Sequence, residues 1–120
     1  MTTQRKSNPA FLNGVPEMLI LRLLSQRPMY GYELVQEIRR STREGLEFGE
    51  GCVYPILHRL ESQSLLKAKR ELVSGRQRVV YRVTAKGKAE LEVTVAGWRH
   101  VVESINHALQ GGEHGRPALA

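Results

Sequence analysis

The chain contains no aspartate: all 12 acidic residues are glutamates. That thins the stock of carboxylates available for metal ligation or acid–base catalysis. Cysteine is nearly absent as well. The lone Cys52 excludes an internal disulfide framework and fits a reducing cytosol. No run approaches the roughly 18 apolar residues of a membrane span. Arg5 and Lys6 are followed by no apolar core with a small-residue cleavage site, so a signal peptide is not expected. Nucleophile–base pairs, phosphate-cradling glycine loops and Cys/His clusters at useful spacing are also missing. No enzyme, catalytic residue, resident metal or other cofactor is therefore expected. What remains is a one-domain cytoplasmic chain of 120 residues, 41% apolar and 25% charged.

Positive charge, by contrast, is plentiful and concentrated. Residues 67–88 carry Lys67, Lys69, Arg70, Arg76, Arg78, Arg82, Lys86 and Lys88 against the single acid Glu71. That segment is +7 in a chain of net charge +6, so everything else amounts to −1. The charge surrounds a Ser74-Gly75 turn between two alternating stretches, near Leu65–Glu71 and Gln77–Val83. In the second stretch Val79, Tyr81 and Val83 alternate with Arg78, Val80 and Arg82. A β-hairpin that lies on a polyanion reads this way.

Three helical patterns precede the hairpin. Pro16 and Glu17 open the first, where the missing proline donor costs nothing. Met18, Leu19, Ile20, Leu21, Leu23 and Leu24 make it apolar on nearly all sides, which calls for cover by a second subunit. Arg27-Pro28 ends it. The second, from about Tyr30 to Thr42, places Gly31, Leu34, Val35 and Ile38 on one stripe. The third, roughly Gly51 to Gln63, repeats that stripe with Val53, Ile56, Leu57 and Leu60, and Pro55 is expected in its first turn. After the hairpin, Thr84 is placed to cap a long helix that Gly111-Gly112 would stop. Leu91, Val95, Trp98, Val102, Ile105 and Leu109 are spaced 4, 3, 4, 3, 4 along it, a seam that wants another helix. The alternative is a helix folded back on its own domain.

The expected fold class is mainly α with a small β-hairpin: a winged helix-turn-helix plus a long C-terminal dimerisation helix. Its parts are a flexible arm at 1–13, a DNA-binding domain at 14–84, the dimerisation helix at 85–110 and a disordered tail at 111–120. Met29-Tyr30-Gly31-Tyr32-Glu33-Leu34, then residues 51–61 (GCVYPILHRLE), then Tyr81-Arg82-Val83-Thr84 with Gly87, resemble the PadR family of transcriptional regulators. The resemblance extends from about Asn13 to Leu109 and is closest to the short subgroup with one C-terminal helix. Ser64 departs from it, standing where the family usually has a glycine. A left-handed helix end there would cost serine about 1 kcal/mol more than glycine, so a different construction is expected.

For DNA contact the candidates are Tyr30, Tyr54, His58 and Arg59 on the helices, and Lys69, Arg76 and Arg78 on the wing. Tyr54 has a second reading as a core aromatic. The resemblance also implies a site for a planar aromatic effector at Met18, Trp98, Val101 and Val102, against simple interface packing by Trp98. His100, Glu103 and His107 share a metal-compatible face that solvent explains equally well. Cys52 reads either as a redox sensor at a helix N-terminus or as a small buried apolar residue. Two functions follow. One is a homodimeric, ligand-responsive repressor that grips double-stranded DNA at a pseudo-palindromic operator. The other is a winged-helix module that docks another protein through its basic hairpin. A membrane partner is not expected.

Overall fold

The computed structural model describes residues 12–113 of the chain. Its elements run α1 (Val15–Gln26), β1 (Met29–Tyr30), α2 (Gly31–Ser41), α3 (Glu50–Ser62), β2 (Leu66–Val73), β3 (Arg76–Val83) and α4 (Ala85–Glu113). A mainly helical domain with one small antiparallel sheet and a long last helix is therefore observed, as the sequence patterns require.

The apolar stripes meet in one core. Ile20, Leu34, Ile38, Val53 and Leu57 are wholly enclosed there, and Phe48 anchors the loop that leads into α3. Among the described residues no polar or charged side chain is buried with them. The expectation that α1 needs a second subunit is corrected: α2, α3, β3 and α4 of the same chain surround it. Of its side chains only those of Arg22 and Gln26 are exposed.

Helix ends are set locally. Glu33 reaches back to accept the Tyr30 N–H at 3.4 Å, tying the start of α2. At the end of α3, Ser64 N–H donates to Glu61 O and Leu65 N–H to Leu60 O, with Leu60 and Leu65 both buried. That is a Schellman arrangement, and it places Ser64 at a left-handed φ of 66°. The different construction expected for serine is not used. Pro55 also departs from expectation: α3 begins at Glu50, so the proline lies in the second turn. The hydrogen bond it forgoes would have gone to the carbonyl of Gly51, which is exposed to water.

The sheet has strand order β1-β3-β2. Ser74 and Gly75, at φ 51° and 80°, form a two-residue turn of the mirror-image type that suits the strands' twist. Register places Lys67 opposite Arg82, Lys69 opposite Val80 and Glu71 opposite Arg78. Alternation therefore gives the hairpin two unlike faces. One carries Leu66, Ala68, Tyr81 and Val83 toward the core; the other carries Lys67, Lys69, Arg76, Arg78 and Arg82. Burial departs from simple alternation at Val80, which is enclosed on the cationic face beside Tyr30 of β1.

Thr84 fastens α4 to this scaffold. Its hydroxyl accepts the Gly87 N–H at 3.0 Å, capping the helix, and donates to Ser64 O at 2.7 Å. Gly87 lies so close that an added Cβ would stand 2.2 Å from Leu65 O. Beyond Val95 the helix leaves the domain, and the molecule measures 66 × 40 × 22 Å. The helix does not stop at Gln110. It continues through Gly111 and Gly112 to Glu113, because glycine weakens a helix by about 1 kcal/mol without forbidding it. The expected tail at 111–120 thus begins as helix, and its remainder lies outside the described residues. So does the arm as far as residue 11, whereas Leu12 packs against the core.

Candidate nucleic-acid interface

The outer face of α3 is the side opposite its core stripe. His58 stands exposed there with Gly51, Pro55 and Ser62. Tyr54 flanks this face, half-buried, because its ring rests on the backbone of Gly31. A Cβ at Gly31 would come within 2.5 Å of that ring. The tyrosine thus wedges α3 against α2 and keeps only part of its surface outward. Arg59 lies on the opposite flank, where its guanidinium pairs with Glu17 of α1.

The wing follows α3 in the chain and packs on it through β2. Lys69 and Arg76 are exposed, and Arg78 is half-buried with its guanidinium 4.5 Å from the centroid of the Tyr30 ring. Arg82 is the exception among the wing cations, since it donates to Glu71 at 2.5 Å. That bond holds the Glu71 carboxyl below the usual range, against a smaller opposing effect of burial. Tyr30, Tyr54, His58, Lys69, Arg76 and Arg78 therefore sit on α3 and the three-stranded sheet of one winged domain. Arg59 joins them already engaged. The stack on Tyr30, the Glu17 pair and the Glu71 pair carry no signature in local sequence; only the opposed register and the packing of α1 on α3 create them.

The two groups expected on α4 separate in the structure. Leu91 is buried in the domain's own core and Val95 packs against it, so these two do not belong to a free seam. Trp98, Ile105 and Leu109 remain 47%, 52% and 63% exposed. Met18 and Trp98 do come together. They line a groove of about 660 Å³ between α1 and α4, with Leu19, Leu46, Leu91 and Val95 as its apolar walls and Arg22, Glu92 and Arg99 as charged neighbours. Val101 and Val102 lie outside that groove; Val102 lines a shallower depression further along α4.

Cys52 is half-buried in the first turn of α3. Burial, and then the charge of Glu17, push its thiol up, opposing the helix N-terminus. That environment disfavours the reactive thiolate a redox sensor needs. His100, Glu103 and His107 are exposed on α4. Among the described residues no group of three His, Cys or Glu side chains is placed to hold an ion. No described helix is long and apolar enough to cross a membrane.

Residues 20–93 match the family described as "Transcriptional regulator PadR-like family". The transcriptional regulator Rv3488 of Mycobacterium tuberculosis is 33% identical over 103 residues, covering 86% of this chain and 90% of that one. Among solved structures, a PadR family transcription regulator from Clostridium difficile superposes with a TM-score of 0.71 at 33% identity, covering 80% of this chain and 99% of that one. A PadR-like transcriptional regulator from Bacillus cereus gives 0.74 at 33% identity, covering 85% and 98%.

Proposed function

The chain belongs to the PadR-like family of transcriptional regulators, and on that premise we propose that it works as a homodimeric, ligand-responsive repressor on a pseudo-palindromic DNA operator. The observation that carries the DNA reading is the two-faced hairpin. Its cationic side bears Lys67, Lys69, Arg76 and Arg78 on the same domain that exposes the outer face of α3. In this reading α3 enters a major groove with His58 foremost and Tyr54 and Arg59 at its flanks. Lys69, Arg76 and Arg78 take phosphates or the adjacent minor groove.

Dimerisation is supported by the exposed stretch of Trp98, Ile105 and Leu109. A run of large apolar side chains on a helix of about 44 Å calls for a partner helix. Two copies joined there would present two recognition helices to successive grooves about 34 Å apart. The groove beside Met18 and Trp98 is the seat for a planar aromatic effector, whose binding would bias the spacing between those helices. The repressive sign follows from the family alone.

Titration with duplex DNA at two salt concentrations tests this reading. Groove binding predicts a steep loss of affinity with salt and a preference for one sequence that survives the loss. No binding, or binding that salt abolishes with no preference for any sequence, would instead favour the protein-docking module.

A further inference from the structure

Arg78 differs from every other cation on the wing in how it is mounted. Its guanidinium lies 4.5 Å from the Tyr30 ring centroid. Its Nε is buried without a partner, alone in that respect among the side chains of the described residues. Glu71 stands directly opposite it in the strand register, yet the Glu71 carboxylate is taken by Arg82. Arg78 is thus positioned by a ring and, among the described residues, left without an ion pair, because the acid beside it is engaged by Arg82. Tyr30 is itself fixed twice. It pairs with Val80 as the last residue of β1, and its backbone is the N-cap of α2. Arg78 lies just beyond that pairing, where the third strand ends and the hairpin runs on as two.

We propose that Tyr30 and Arg78 form one phosphate-gripping unit, in which the ring holds the guanidinium flat so that its outer N–H groups meet a DNA backbone phosphate as a preformed fork. Tyr30 is then a positioning residue that acts through Arg78, and its hydroxyl is dispensable. A planar fork on a rigid mount loses little freedom on binding, and a lysine ammonium reproduces neither the stacking nor the two parallel bonds. The proposal rests on the DNA-binding reading above.

The experiment uses the full chain and a 30-base-pair duplex that it has enriched from a random pool. Affinity is measured across a range of salt for wild type, Tyr30→Phe, Tyr30→Leu, Arg78→Lys and Arg78→Gln, with thermal melting as a check on folding. Tyr30→Phe is expected to bind within about twofold of wild type, and Tyr30→Leu about fivefold more weakly. Arg78→Lys and Arg78→Gln are both expected to lose about tenfold. They differ in the salt slope, which falls by about 0.9 for glutamine and is unchanged for lysine. Arg78→Lys binding like wild type, or Tyr30→Phe losing as much as Tyr30→Leu, overturns the unit while DNA binding stands. A wild type that enriches and binds no duplex overturns the functional reading, and the proposal with it.

Discussion

The winged domain and the outer half of α4 draw on the same apolar residue types and reach opposite outcomes. Leu34, Ile38 and Leu57 are completely enclosed, whereas Trp98, Ile105 and Leu109 keep about half or more of their surface in water. In the domain, stripes on α1, α2 and α3 face one another and the sheet closes the remaining side. Of the six apolar residues spaced along α4, only Leu91 and Val95 join the chain's own core. A helical apolar stripe announces that it will be covered, and the topology decides whether the cover is the same molecule or another. Here the boundary between covered and uncovered apolar residues falls within a single helix, between Val95 and Trp98.

The largest effect on stability is expected at the enclosed end. Leu34→Ala removes a fully buried side chain from α2 and should cost about 3 kcal/mol of folding stability, read by denaturant unfolding. The matching change at the open end, Ile105→Glu, should leave unfolding of the dilute single chain within about 0.5 kcal/mol. It should nevertheless weaken self-association by roughly a hundredfold in sedimentation, because a carboxylate would be buried without a partner. If Ile105→Glu unfolds the chain as readily as Leu34→Ala, the division between the two regions is wrong.

Gly87→Ala probes the joint between the regions. The new Cβ would meet the Leu65 carbonyl, a backbone atom that cannot swing aside. A destabilisation of about 2 kcal/mol is expected, with loss of the Thr84 cap visible as faster amide exchange in the first turn of α4. Ser64→Gly should act in the other direction. It relieves a left-handed serine while keeping both Schellman bonds, and should stabilise the domain by about 1 kcal/mol in thermal melting.

The smallest effect concerns acid. Glu37, bonded to Arg40, and Glu71, bonded to Arg82, both titrate below the ordinary 4.5 in the folded chain. Their contributions are complete above that value and are lost as pH falls through the lowered folded values. Both pairs lie at the surface, so melting at pH 6 and pH 3 compared with Glu37→Gln and Glu71→Gln should reveal only a shallow difference for each.

Much of this was written in local pattern. The 3.6-residue stripes marked α1, α2 and α3, Ser74-Gly75 marked the hairpin turn, and Thr84 marked the start of α4. Sequence reasoning was weakest wherever a partner lies far along the chain. β1 is only Met29 and Tyr30, too short for any period to show, and exists because Val80 and Tyr81 pair with it. The same long-range pairing places Tyr30 beside Arg78. Glu17 meets Arg59 across 42 residues, which no spacing rule anticipates. Pro55 and Gly111 were misread for a different reason: each weakens a helix by an amount that surrounding packing or continuing hydrogen bonds can offset. The apolar spacing along α4 was legible, but its first two members, Leu91 and Val95, are claimed by the domain's own core.

Selection of bound sequences from a random duplex pool, using the full chain at micromolar concentration, bears most directly on the paired, groove-reading molecule. The expected product is an inverted repeat whose half-site centres are about one helical turn apart, near 10 base pairs. A single asymmetric half-site, or a pool no richer after selection than before it, would contradict the account.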